Sequence, residues 1–218
     1  IDKVMHLEEI ENYETELSEA QIYQNNVETF VKINVDRMNT LLKKTGFVEI
    51  NDGITQLNTL GLLASQFQEV HPLVMSLLMV ESNYFHDLDA CELCGLFACF
   101  ANIVVVDDLK MNLPNTTSVA LNNLTMRLDK MLDEFYDLEL LNNVSSGTSY
   151  ERCFDIQQSV LDWTRASDEK TCRKVLETLK MESGIFLGEF IKALLKVNNV
   201  CTEFERAAEI TQNIGLLE

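Results

Sequence analysis

The sequence predicts an all-α protein: a multi-helix bundle closed by one long C-terminal helix and preceded by a small helix-plus-hairpin unit. Three observations lead there. Two prolines and eight glycines are few for 218 residues, so little interrupts helical backbone. Windows rich in Leu, Glu, Lys, Met and Ala recur along the chain at helical spacing. A hydrophobic content of 46% over this length is enough to bury one good-sized core, or two small ones packed together.

The elements follow in order. Residues 3–20 place Val4, Leu7, Ile10 and Leu17 among alternating charges, and residues 25–44 place Val27, Val31, Val35, Met38 and Leu42 at helical intervals, so two helices are expected. Gly46 ends the second. Phe47-Val48-Glu49-Ile50, then Asn51-Asp52-Gly53, then Ile54-Thr55-Gln56-Leu57 reads as a hairpin and the only sheet. A helix leading into a small hairpin is how a winged-helix-like module ends, although this turn carries no basic residue to grip a phosphate. The domain division is therefore set at 1–58 and 59–218. Short helices are expected over 60–69 and 72–81, with Pro72 in a first turn. A third, capped by Asp87 or Asp89, runs over 90–106, and its apolar surface all round places it centrally. Ser118 to Leu141 reads as a long amphipathic helix with an acidic patch at Asp129, Asp133, Glu134, Asp137 and Glu139. Ser145-Ser146-Gly147 marks a flexible break. Helices over 150–163 and 168–179 follow, the second capped by Ser167 or Asp168.

The last helix, from Ile185 to about Asn213, carries two faces. At 100° per residue, Phe190, Leu194, Val197, Cys201, Phe204 and Ala208 fall on one apolar stripe that reads as core. Roughly 160° away lie Lys192, Lys196, Asn199, Glu203 and Arg206, at i, i+4, i+7, i+11 and i+14. This polar rail faces either water or a ligand such as a passing polymer, and periodicity does not choose between the two.

The formal net charge of −18 opposes nonspecific binding to a phosphate backbone, which depends on Lys and Arg releasing counterions. In the first twenty residues, Asp2, Glu8, Glu9, Glu11, Glu14, Glu16 and Glu19 face only Lys3, as on a solvated helix face. No apolar run approaches the ~20 residues of a bilayer span, so no membrane partner is expected. The six cysteines follow no signal segment and fit free thiols in an intracellular setting, cytoplasmic or nuclear. The triplets at Asn115, Asn123 and Asn143 read as chance matches in an Asn- and Thr-rich chain. A start at Ile1 and a stop at Glu218 suggest a piece of something longer.

No catalytic motif assembles. A phosphate-binding G-x-x-x-x-G-K-[ST] loop is absent, and Asp133-Glu134-Phe135-Tyr136 matches a helicase Asp-Glu box only in its first two letters. His6, His71 and His86 are far apart in sequence. Cys91 and Cys94, with His86 and Cys99 nearby, have zinc-ligand types, but a single CxxC in an apolar helix reads as small hydrophobes. No metal or cofactor is assigned to the segment.

Several motifs are colinear with one family. Lys43-Lys44-Thr45-Gly46-Phe47-Val48 ends a helix, and Leu57-Asn58-Thr59-Leu60-Gly61-Leu62-Leu63-Ala64 resembles an L-x-x-x-G-x-x-A stretch. Phe85-His86-Asp87-Leu88 leads into Leu96-Phe97-Ala98-Cys99-Phe100, and Ile185-Phe186-Leu187-Gly188 opens the last helix. From about Asp36 onward this order is similar to the C-terminal helical (DSHCT) region of exosome-associated superkiller-type DExH RNA helicases. The resemblance implies two RecA-like ATPase domains elsewhere in the parent, which would bind ATP and Mg. It also implies a ratchet-like final helix lining the RNA channel. Aligned from Gly188, Lys196 falls where the family commonly has an RNA-contacting Arg, and Asn199 where it has an acidic residue. Lys keeps the charge but loses the planar fork of guanidinium, and Asn loses the charge. Leu187 replaces an acidic residue usual before the glycine.

Two readings follow. In one, the segment is a module of an ATP-driven helicase that lines the RNA channel. Its partners are then single-stranded RNA, the ATPase core of the same protein, and an exosome-like nuclease or other protein subunits. In the other, it is a non-catalytic helical protein-interaction or structural module derived from such a helicase, a reading favoured by the acidity and by the departures at Lys196 and Asn199.

Overall fold

The computed structural model describes the backbone of residues 2–212 and the side chains of Ile10 and residues 12–212. Eight α-helices and one hairpin follow in order among them: α1 Asp2–Lys44, β1 Val48–Asn51, β2 Ile54–Leu57, α2 Thr59–Ala64, α3 Pro72–Glu81, α4 Ala90–Phe97, α5 Val119–Asn142, α6 Gln157–Arg165, α7 Glu169–Glu182 and α8 Leu187–Thr211. This is the mostly α, multi-helix bundle that the composition predicts. No described helix is long and apolar enough to cross a membrane.

The first 44 residues form one helix, where the periodicity suggested two. The stretch Gln21 to Asn26 contains neither glycine nor proline, so nothing in the backbone stops the first helix before the second begins. Glu14, Glu16 and Glu19 are exposed as expected. Asp2, Lys3, Val4, His6, Leu7, Glu8, Glu9 and Glu11 lie outside the described side chains. α1 is seated at its C-terminal end, where Leu41 is fully buried and Lys44 Nζ donates to Asn142 Oδ1 at 3.1 Å.

The hairpin pairs Val48 with Leu57 and Asn51 with Ile54. Asp52 and Gly53 both have positive φ, 51° and 80°, the two-residue turn whose twist suits adjacent strands. The chain then folds back so closely that a Cβ on Gly61 would lie 2.2 Å from the Phe47 carbonyl oxygen. Hydrogen at this position is a steric requirement.

Two caps are ones the sequence offers, Asp89 and Asp168, and two more, Ser118 and His71, come from the structure. Asp89 closes a capping box with Glu92 on α4, Ser118 caps α5, Asp168 caps α7, and His71 caps α3 with Pro72 in the first turn. Three helices are shorter than expected because their backbone groups find other partners. α2 stops at Ala64 and not Glu69, since the N–H groups of Gln68 and Glu69 turn to the Glu203 carboxylate. α4 stops at Phe97 and not Val106, giving way to a 3-10 turn at Ala98–Phe100. There the Cys99 carbonyl accepts Cys153 N–H at 2.8 Å, and Ile103 to Val106 is a β-branched run that disfavours helix. The same crossing keeps residues 150–156 out of α6.

The core is centred on α8. The ring of Phe204 lies 4.9 Å from that of Phe67, 5.6 Å from Phe85 and 4.5 Å from Phe97, while Phe190 meets Trp163 edge-on at 5.4 Å. Phe85 reaches this cluster through an uncommon backbone: Asn83, Tyr84 and Phe85 have φ of 51°, 58° and 59°, three successive non-glycine residues in the left-handed region. The acidic patch on α5 is partly neutralised, because Arg152 pairs with Asp129 and with Asp133. Glu139 is buried, not solvated.

Candidate nucleic-acid interface

α8 begins after Ile185, which is buried, and Phe186, whose side chain offers no cap. Phe190, Val197, Phe204 and Ala208 of the expected apolar stripe are buried, while Leu194 and Cys201 sit at its edge. Ala193, Val200, Glu203 and Ala207 are buried as well. The buried face is thus turned by roughly 55° from the predicted stripe at 100° per residue. That rotation divides the polar rail.

Lys192, Asn199 and Arg206 remain exposed. Lys192 Nζ lies 2.5 Å from Glu189 Oε1, and Glu189 Oε2 accepts Val104 N–H at 3.3 Å. The ammonium and this backbone donor hold the Glu189 carboxyl below its usual range. Arg206 has no ion-pair partner among the described residues. Lys196 lies at the edge of the buried face with its side chain 25% exposed, and its Nζ donates to Glu69 Oε2 at 2.7 Å. Asn199 Nδ2 donates to the other oxygen, Oε1, at 3.3 Å.

Glu203 does not belong to the accessible rail expected to face water or contact RNA. It is only 4% exposed, and both carboxylate oxygens accept the backbone N–H groups of Gln68 and Glu69 at 3.0–3.2 Å. An acceptor-only group is well matched to two loop amide donors that no helix or strand partner satisfies. Its partner Glu69 has no signal in the sequence, because the contacts span more than a hundred residues and a glutamate in a short loop has no local signature.

Elsewhere on α8, Cys201 faces Cys94 of α4. The interaction between the two thiols pushes Cys94 up and holds Cys201 below its ordinary value. Cys91 and Cys94 pack against the core and Cys99 is buried within it, as small hydrophobes do.

Residues 55–218 match the family model of the DSHCT (NUC185) domain. The chain belongs to this family. The match covers most of the hairpin's second strand and every helix from α2 to α8, so the bundle is a helicase-associated C-terminal module. Among curated proteins, the chain is also similar to an adenylosuccinate lyase of Buchnera aphidicola subsp. Baizongia pistaciae, 28% identical over 97 residues. That similarity covers 43% of this chain and 21% of the lyase, so the chain spans about a fifth of that relative.

Proposed function

We propose that this bundle is the C-terminal helical module of a superkiller-type, ATP-dependent DExH RNA helicase, and that α8 forms part of the wall along which single-stranded RNA passes. The family match over residues 55–218 carries the reading, together with the Ile185-Phe186-Leu187-Gly188 motif that opens α8. Lys192, Asn199 and Arg206 recur every seven residues, about 10.5 Å apart along one exposed face, with Lys196 at its border. A channel wall needs a few well-placed donors, and an acidic outer surface does not prevent that. In this reading ATP and Mg are handled by the ATPase core of the same protein. The module guides RNA toward an exosome-like nuclease or other subunit in an intracellular compartment.

One observation favours a second reading, that of a helical protein-interaction module derived from such a helicase. Lys192 and Lys196 are each paired with a carboxylate. Beside them Phe186, Leu187, Ile191 and Leu195 are 65%, 55%, 48% and 60% exposed, a surface suited to an apolar partner.

Crosslinking of a photoreactive single-stranded RNA to the longest native form of the protein separates the two. Crosslinked peptides spanning Lys192 to Arg206 are the outcome expected of a channel wall. Their absence, with protein subunits co-purifying instead, would assign the module to protein interaction.

A further inference from the structure

We infer that Glu69 is a built-in counter-ion for the nucleic-acid face of α8, occupying Lys196 and Asn199 as an RNA phosphate would and limiting the strength of RNA contact at that point. The inference rests on the channel-wall reading above and adds a regulating residue to it. The geometry is that of anion recognition. One carboxylate accepts Lys196 Nζ at 2.7 Å and Asn199 Nδ2 at 3.3 Å through separate oxygens, the first within the range of charge-assisted bonds. A phosphate presents the same anionic oxygens to the same donors, so the two acceptors compete.

The lock is built from α8 itself. Glu203, two turns beyond Lys196, holds the backbone N–H groups of Gln68 and Glu69. Phe67 packs its ring on Phe204, and Val70 is buried on the other side. The loop backbone is therefore clamped at both flanks of Glu69. Its side chain alone reaches the surface, 35% exposed, and leaves Lys196 by rotating about its own bonds while the loop stays in place. Asn199 carries no charge of its own, and the carboxylate beside Lys196 arrives from the α2–α3 loop.

The test uses the longest native form of the protein and a single-stranded RNA, with affinity measured across a salt series and α8 crosslinks mapped in parallel. Glu69→Gln preserves shape and removes the charge. We expect it to tighten binding about threefold to fivefold, the range that an exposed ion pair permits. It should also steepen the slope of log affinity against log salt by about 0.7, because one more cation then displaces a counterion. Both effects should vanish in a Lys196→Gln background. Glu205→Gln, which removes the same charge from exposed α8 without freeing Lys196, should leave the slope unchanged. Crosslinks on α8 with no gain in Glu69→Gln, or an equal change in Glu205→Gln, would overturn the lock and leave the channel wall standing. Absence of α8 crosslinks in every variant would remove both.

Discussion

The Glu203 carboxylate on α8 accepts the backbone N–H of Glu69 at 3.1 and 3.2 Å, so one buried glutamate fastens the last helix to the loop between α2 and α3. Removing it leaves the Gln68 and Glu69 amides without an acceptor in a site only 4% exposed. Glu203→Ala should destabilise the bundle by about 2–4 kcal/mol, the cost of orphaned amides plus a charge-assisted bond. Glu203→Gln keeps one acceptor oxygen and should lose about half as much. Chemical denaturation of the two variants checks the order. Equal stability of Glu203→Ala and the parent would show that the amides find other partners.

Gly61 is fixed by contact and not by conformation. A Cβ there would meet the Phe47 carbonyl oxygen at 2.2 Å and the Leu57 side chain at 2.9 Å, and the first of these atoms is backbone. Gly61→Ala is expected to destabilise by about 2–3 kcal/mol, as overpacking does, and to separate the hairpin from α2. Gly188 provides the contrast, since a Cβ there meets nothing within 4 Å. Gly188→Ala should leave the thermal midpoint of the bundle unchanged or raised, alanine being the better helix former.

The left-handed run at Asn83, Tyr84 and Phe85 is held by Tyr84 N–H donating to the Met79 carbonyl at 2.7 Å and Phe85 N–H to Ser82 Oγ at 3.2 Å. Asparagine tolerates this region better than alanine does. At exposed position 83, Asn83→Ala should cost about 1 kcal/mol and Asn83→Gly should be neutral or slightly stabilising. Denaturant midpoints that rank Ala above Gly would contradict the assignment.

Helix positions and the caps at Asp89 and Asp168 were legible because they depend on residues within one turn of each other. The single span of α1, the early ends of α2 and α4 and the late start of α6 were less so. The last three depend on distant groups, Glu203 meeting Gln68 and Cys153 meeting Cys99. The face of α8 was readable to within about half a turn-sector. Alanines at 193, 207 and 208 let neighbouring elements approach, while Glu203 reads as part of a rail facing water or RNA because periodicity treats a carboxylate as accessible whether or not two amides await it. Lys192, Asn199 and Arg206 stay at the surface where the spacing put them, and Lys196 is reached by a carboxylate that no local pattern announces.

His71 makes the fold sensitive to acid. Its Nδ1 accepts Val74 N–H at 3.3 Å to cap α3, and the ring lies 4.7 Å from Tyr150 and 5.9 Å from Phe135 at 2% exposure. Burial lowers its pKa from 6.5 to about 4, outweighing the opposite pull of Glu139. Between those values the unfolded chain binds the proton and the folded chain does not. Stability is therefore complete above pH 6.5 and falls as the pH drops toward 4, by roughly 3 kcal/mol from this residue. Protonation of Nδ1 would also turn the cap's acceptor into a donor, which the Val74 amide cannot use. His71→Asn, which keeps an N-capping oxygen without a titrating ring, should be less stable at pH 7 but show a flatter decline between pH 6.5 and 4. Urea denaturation at several pH values measures that slope, and a parent and variant that decline in parallel would assign the acid sensitivity to other groups.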